Sequence, residues 1–170
     1  MVEIPAEPPE KTTNVGQDDE EMFQPQIGIE VQFIKDLSFE NPVGSNATAM
    51  MTQTPEVNVE VSTNARKLEG GQYEVSIIIR GEAKTSESTF FIVELTYAGV
   101  LTISNAPQEA IGPILLIEGA RLLFPFARNI VADVTRDGGF PPLLINPIDF
   151  AQLYRDQHMT EESTNGVAPN

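Results

Sequence analysis

Few residues in this chain are of types and spacings that do covalent or acid–base chemistry. Asp36 and Glu40 come nearest to a carboxylate pair. Four positions apart on a strand, they would stand about 13 Å apart along it. Carboxylate pairs that cleave glycosides are separated by roughly 5 to 9.5 Å. His158 is the only histidine, and it falls at the end of a short helical segment, where a surface residue is the default. Cysteine is absent, which removes thiolate nucleophiles, disulfides and thiolate metal sites together. The glycine pairs Gly70-Gly71 and Gly138-Gly139 lack a phosphate-loop context. Asn46-Ala47-Thr48 has the spacing of a glycosylation acceptor, but a cytoplasmic chain would not be modified there. No catalytic residue, metal ligand or cofactor is expected. The chemistry left to this chain is association.

Charge narrows the partners. Ten basic residues face twenty-five acidic ones, for a formal net charge of −15. General nucleic-acid binding needs clustered Lys and Arg, so it is excluded, and anionic membrane surfaces are disfavoured. A basic partner is the natural complement. The N-terminus has neither a basic n-region nor an apolar h-region, which with the lack of cysteine points to the cytoplasm. Glu118 and Arg121 interrupt the longest apolar run, so no membrane span is expected.

The elements follow from hydrophobic period. Residues 1–24 and 159–170 are polar, acidic or proline-bearing and read as disordered tails around one domain at 25–158. Within the domain, a long helix spans about Glu109 to Arg136. Its polar residues, Glu118, Arg121, Arg128 and Arg136, form one narrow stripe. A helix packed on a single neighbour needs an apolar arc of roughly 100°, and this one has far more, so it predicts self-association. Pro125 removes the bond to the carbonyl of Arg121 and bends the helix gently. Gly138-Gly139 and then Pro141-Pro142 end it.

Four stretches alternate with period two, as strands do. In the first, Ile27, Ile29, Val31, Phe33, Leu37 and Phe39 share the apolar face. The others place Val57, Val59 and Val61, then Val75, Ile77 and Ile79, then Phe91, Val93, Leu95 and Tyr97 on that face. Gly70-Gly71 and a turn near Ser86 to Ser88 make antiparallel hairpins, whereas residues 41–55 form a loop crossing the sheet. A second, short helix runs from Pro147 to about His158, with Asn146 as N-cap. The fold class is α+β, a four-stranded antiparallel sheet with one long, Pro-kinked helix and one short C-terminal helix on one face. Such a sheet is about 19 Å wide and one helix about 10 Å across, so apolar surface remains open unless other subunits cover it. The polar face carries Glu30, Asp36, Glu40, Glu56, Glu60, Glu74, Glu82 and Glu94 against Arg80 and Lys84. Phe90 and Ile92 sit among these acids, either as ordinary exposed residues or as a docking patch.

Four motifs in order carry a family resemblance. They are Lys35-Asp36-Leu37-Ser38-Phe39-Glu40-Asn41-Pro42, Leu122-Leu123-Phe124-Pro125-Phe126-Ala127-Arg128, Gly139-Phe140-Pro141-Pro142-Leu143 and Asn146-Pro147-Ile148-Asp149-Phe150. Over about residues 25 to 158 the chain resembles the SecB family of bacterial export chaperones. The resemblance implies a homotetramer, a dimer of dimers with the long helices between dimers. It implies binding of unfolded precursor proteins and their delivery to the SecA motor. The motor-binding face would comprise Asp36, Glu40, Ile92 and Glu94. The client groove would draw on Phe33, Met50, Met51, Phe150, Leu153 and Tyr154, with a core role the default for Phe150 and Leu153. The oligomer interface would use Val93, Leu95, Tyr97, Leu116, Leu123, Phe124 and Phe126. The chain departs from the family in having no tryptophan, and methionines of the crossing loop would serve instead. Two alternatives stay open, a SecB-like chaperone dedicated to one client such as an antitoxin and an acidic interaction module.

Overall fold

The computed structural model describes residues 24–46 and 54–165. Strands β1 (Gln26–Glu40), β2 (Glu56–Lys67), β3 (Tyr73–Lys84) and β4 (Thr89–Ser104) form one antiparallel sheet in the order β1-β4-β3-β2. β1 and β2 are therefore opposite edges, and residues 47–53 of the expected crossing loop lie outside the described residues. Both hairpins are where the glycines and polar turn put them. Gly70 and Gly71 take φ of 74° and 80°, a region that suits glycine. At the other turn the Thr85 N–H donates to the Ser88 carbonyl at 2.8 Å.

The register corrects β1. Its pairing with β4 slips between Ile29 and Val31 and again between Ile34 and Asp36. Each bulge adds one residue and reverses the faces of those that follow. Gln32 and Ile34 thus lie on the register opposite Gly99 and Tyr97, on the helix side, and Val31 and Phe33 go to the open side. Strict alternation had placed these four the other way round. The β3–β4 pairing slips too, between Ala83 and Lys84, so Phe90 has no cross-strand partner. Phe90 and Phe91 are both buried, and each ring meets Phe140, at 6.5 and 5.2 Å. Phe90 belongs to the core, not to the acidic face on which simple alternation set it.

Helix α1 runs unbroken from Gln108 to Asp137. It opens with a 3-10 turn, widens into a π turn at Leu115–Gly119 and continues as α-helix over Ala120–Asp137 with Pro125 inside. Small residues set how closely it lies on the sheet. Gly119 touches down by Leu101, whose side chain would have to give way to a methyl there, and Ala120 and Ala127 are fully buried. The end is a Schellman motif. Gly139 has φ of 92°, the Phe140 N–H reaches the Thr135 carbonyl at 3.1 Å, and the Gly139 N–H reaches the Arg136 carbonyl at 3.0 Å.

By length and composition alone α1 would cross a membrane, with mean hydropathy of 1.5 over its best window. Glu118 and Arg121 do not exclude that on composition, contrary to the reading above. Its packing accounts for the apolar content in part, since Leu115, Leu123 and Val131 are buried against the sheet. The second helix, α2 (Phe150–Asn165), starts later and ends later than its sequence pattern suggested. Asp149 caps it, its Oδ1 accepting from the Gln152 N–H at 3.0 Å, so residues 146–148 stay extended. α2 continues into the segment read as a tail. It packs against α1 through Phe124 and Phe150, whose rings meet edge to face at 5.5 Å.

Candidate binding surfaces

The helix side of the sheet is incompletely covered, and the gap is organised. After the Schellman turn the chain runs extended from Phe140 to Asp149, alongside edge strand β2. One buried side chain holds it there. Thr135 Oγ1 accepts from the Leu143 N–H at 2.9 Å while donating to the Val131 carbonyl at 2.9 Å. Between this segment and β2 lies a hollow of about 420 Å³, lined by Phe90, Phe91, Phe140 and Pro55 among others. A second hollow of about 500 Å³ adjoins it, with Val57, Val59 and Val61 on one wall and Leu144 and Ile148 on the other. Val57 and Leu143 line both, so the two form one apolar trough. Leu144 is 70% exposed and Val57 48%. Large apolar side chains left open in a concave site mark a binding surface more than scattered ones do.

The opposite face of the sheet is polar but not uniformly acidic. At one end Glu74 is buried and takes hydrogen bonds from Arg66, at 2.9 and 3.1 Å, and from Lys35, at 2.6 Å. Lys35 stands in the second bulge of β1, and together with Arg66 it makes this end locally balanced. Hydrogen bonds from Arg66, then Lys35, hold the Glu74 carboxyl down to about 2, against burial that would raise it. The other end keeps its acids. Across the strands run Ser38, Glu94, Arg80 and Glu60, and beside them Glu40, Ile92, Glu82 and Asn58. A hollow of about 480 Å³ lies here, with Asp36, Glu60, Ile78 and Glu94 in its lining.

The Glu74 cluster sets a pH dependence. A carboxyl depressed below its usual 4.5 contributes stability that is full above that value and lost as pH falls through about 2. Its exposed partners screen the effect to about 1–2 kcal/mol. Glu74→Gln should therefore melt below the parent at pH 7, and the gap should close between about pH 4.5 and 2. Thermal unfolding across that range measures it; a gap that stays constant would contradict the assignment.

The anticipated site residues divide. Asp36, Glu40, Ile92 and Glu94 do share one face, at neighbouring cross-strand rows. The groove residues do not gather. Phe33 is on the open face, Phe150 is buried in the core, and Met50 and Met51 lie outside the described residues. Leu153 and Tyr154 are half-buried on α2. That helix is fastened to β2 by Gln157, which accepts from Thr63 Oγ1 at 3.0 Å. Of the residues assigned to assembly, Val93, Leu95, Tyr97, Leu123 and Phe124 are buried within the protomer's own core. Leu116 is half-buried and Phe126 is exposed, its ring stacked on Tyr97. The trough residues of β2 and of the Phe140–Asp149 segment were missed. The unbroken apolar run Leu143-Leu144-Ile145, flanked by prolines, was their signal. His158 bonds its own helix at the Tyr154 carbonyl, and among the described residues no three His, Asp or Glu side chains gather to hold a metal ion.

The profile of the family described as "Preprotein translocase subunit SecB" matches residues 20–161. The "Protein-export protein SecB" of Rhodopseudomonas palustris strain BisB5 is 43% identical over 155 residues, covering 91% of this chain and 98% of that one. Those of Azorhizobium caulinodans and Xanthobacter autotrophicus are 47% and 48% identical, each over 81% of this chain and over 86% and 88% of theirs. Among solved structures, a Mycobacterium tuberculosis SecB-like chaperone in complex with an antitoxin peptide superposes with a TM-score of 0.57. It covers 72% of this chain and 90% of the other, at 14% identity, a likeness of fold.

Proposed function

The chain belongs to the SecB family, and from that premise we propose how its two surfaces divide the work of a protein-export chaperone, which is not an enzyme. The apolar trough holds newly made precursor proteins unfolded in the cytoplasm. Contact of this kind yields about 25 cal/mol per Å² buried before ordering costs, and it has no direction, so sequence preference is slight. The acidic end of the open face delivers the loaded chaperone to the SecA motor of the Sec translocase. Four subunits, as a dimer of dimers, offer several troughs to one long client, and avidity then sets its residence.

One observation carries this reading. A single sheet has an apolar trough on the helix side and a row of acids with Ile92 among them on the other. Client and motor can therefore be bound at once without competing for surface. Glu94→Lys should weaken SecA binding by about tenfold or more at low salt, yet leave suppression of precursor aggregation unchanged. Titration calorimetry and light scattering read the two halves. Equal loss of both would place docking and holding on one surface and overturn the reading. Running the scattering assay on several unrelated precursors separates a general chaperone from one dedicated to a single client.

A further inference from the structure

Arg80 sits in the middle of the acidic end, and its surroundings give it a task of its own. On the sheet register it lies between Glu94 of β4 and Glu60 of β2, and its guanidinium is ion-paired with the Glu94 carboxylate. Asp36 and Glu40 differ, since among the described residues neither has an ion pair. Of the three carboxylates assigned to docking, a basic group arriving at this face finds two open and the third already taken.

We propose that Arg80 is a specificity-determining residue for docking, a resident cation that the partner's basic group must displace from Glu94. The inference rests on the docking reading above. Both side chains of the pair are about half exposed, 50% and 45%. Exposed pairs are weak and exchange readily, so Arg80 taxes docking without forbidding it. A partner with a single well-placed cation can use Asp36 or Glu40 but gains nothing at Glu94. One whose basic groups match the whole row displaces Arg80 and engages all three. The residue also keeps Glu94 from acting as a bare acid toward any passing basic segment, so it favours the matched partner over unmatched ones. Lys84 provides the control. It is the other cation at this end and is paired at 3.0 Å with Glu82 of its own strand, in the row next to Glu94, so it shares the local charge without occupying that carboxylate.

The test is SecA binding by the full chain and its R80Q, K84Q, D36N, E94Q and R80Q/E94Q variants, at low and at high salt. R80Q should tighten binding about three- to tenfold at low salt, an advantage that fades as salt screens the face. K84Q, with the same change in net charge, should tighten it less than about twofold. E94Q should cost more in the R80Q background than in the parent, because there Glu94 is free to bind the partner. Weaker binding by R80Q would make Arg80 a direct contact and overturn the inference. So would equal gains from R80Q and K84Q, which would reduce the effect to net charge. If D36N and E94Q both bind as the parent does, the docking reading itself falls and takes this inference with it.

Discussion

Leu144→Asp is expected to weaken holding of an unfolded polypeptide about tenfold or more while moving the melting temperature by no more than about 2 °C. The two halves come from one number. Leu144 is 70% exposed in the free protomer, so the fold has little invested in it, and substitutions at such positions shift stability by about 0.5 kcal/mol or less. A client segment lying in the trough would bury the same side chain. Full burial of a leucine is worth about 1.5–3 kcal/mol, which is one to two powers of ten in affinity, and an aspartate adds the cost of desolvating a charge. Phe140→Ala is the contrast. That ring is buried against Phe39, Phe90 and Phe91, so although it also lines the trough, its loss should lower stability by about 3–5 kcal/mol, a cost that Leu144→Asp does not carry. Binding of an unfolded precursor, measured beside a thermal melt, separates the two. Unchanged holding by Leu144→Asp would move the client site away from the trough.

The reading of the sequence failed where the chain leaves its own period. Alternation along β1 is nearly perfect on paper, yet Glu30 and Lys35 fall in bulges, so Val31, Gln32, Phe33 and Ile34 exchange faces. Only Ile34 and Lys35, which break the alternation, mark the second bulge locally, and nothing marks the first. It is fixed by how β1 must pair with β4, and β4 is its neighbour only because β2 occupies the far edge. Phe90 shows the same effect at the β3–β4 end. Elements governed by strong local chemistry were legible. The positive-φ glycines of the β2–β3 turn, the Gly139 stop of α1 and strands β2, β3 and β4 away from the Ala83–Lys84 slip lie where residue type put them. That these acids share one face was legible for a related reason, since β4 alternates without a break from Phe91 to Leu101, and Asp36, Ser38 and Glu40 lie beyond the second bulge. The trough was not. Its outer wall, Phe140 to Ile148, has no periodicity, and its position depends on a hydrogen bond from a main-chain N–H to Thr135, eight residues upstream.

Phe126→Asp should break the proposed assembly. α1 lays its buried flank on the sheet and turns Leu122 and Phe126 outward, 44% and 47% exposed, with Arg121 and Pro125 beside them. Two large apolar side chains one turn apart at the centre of a 30-residue helix form a stripe that the protomer has no further element to cover. If a second copy covers it about a two-fold axis, each substitution counts twice. Losing a buried Phe at about 2–3 kcal/mol per copy, before the cost of a desolvated aspartate, raises the dissociation constant of that interface by about a thousandfold or more. Sedimentation velocity over a dilution series should show the parent as a larger particle and Phe126→Asp as a smaller one at the same concentration. Client binding then discriminates further. A short unfolded peptide, which fits one trough, should bind the variant as it binds the parent. A long precursor that spans several troughs should bind it much more weakly, because linked sites lose their effective concentration when the subunits part. A parent chain that sediments as a single protomer at all concentrations would leave Phe126 exposed for another reason, and the several-trough account of client residence would fall with it.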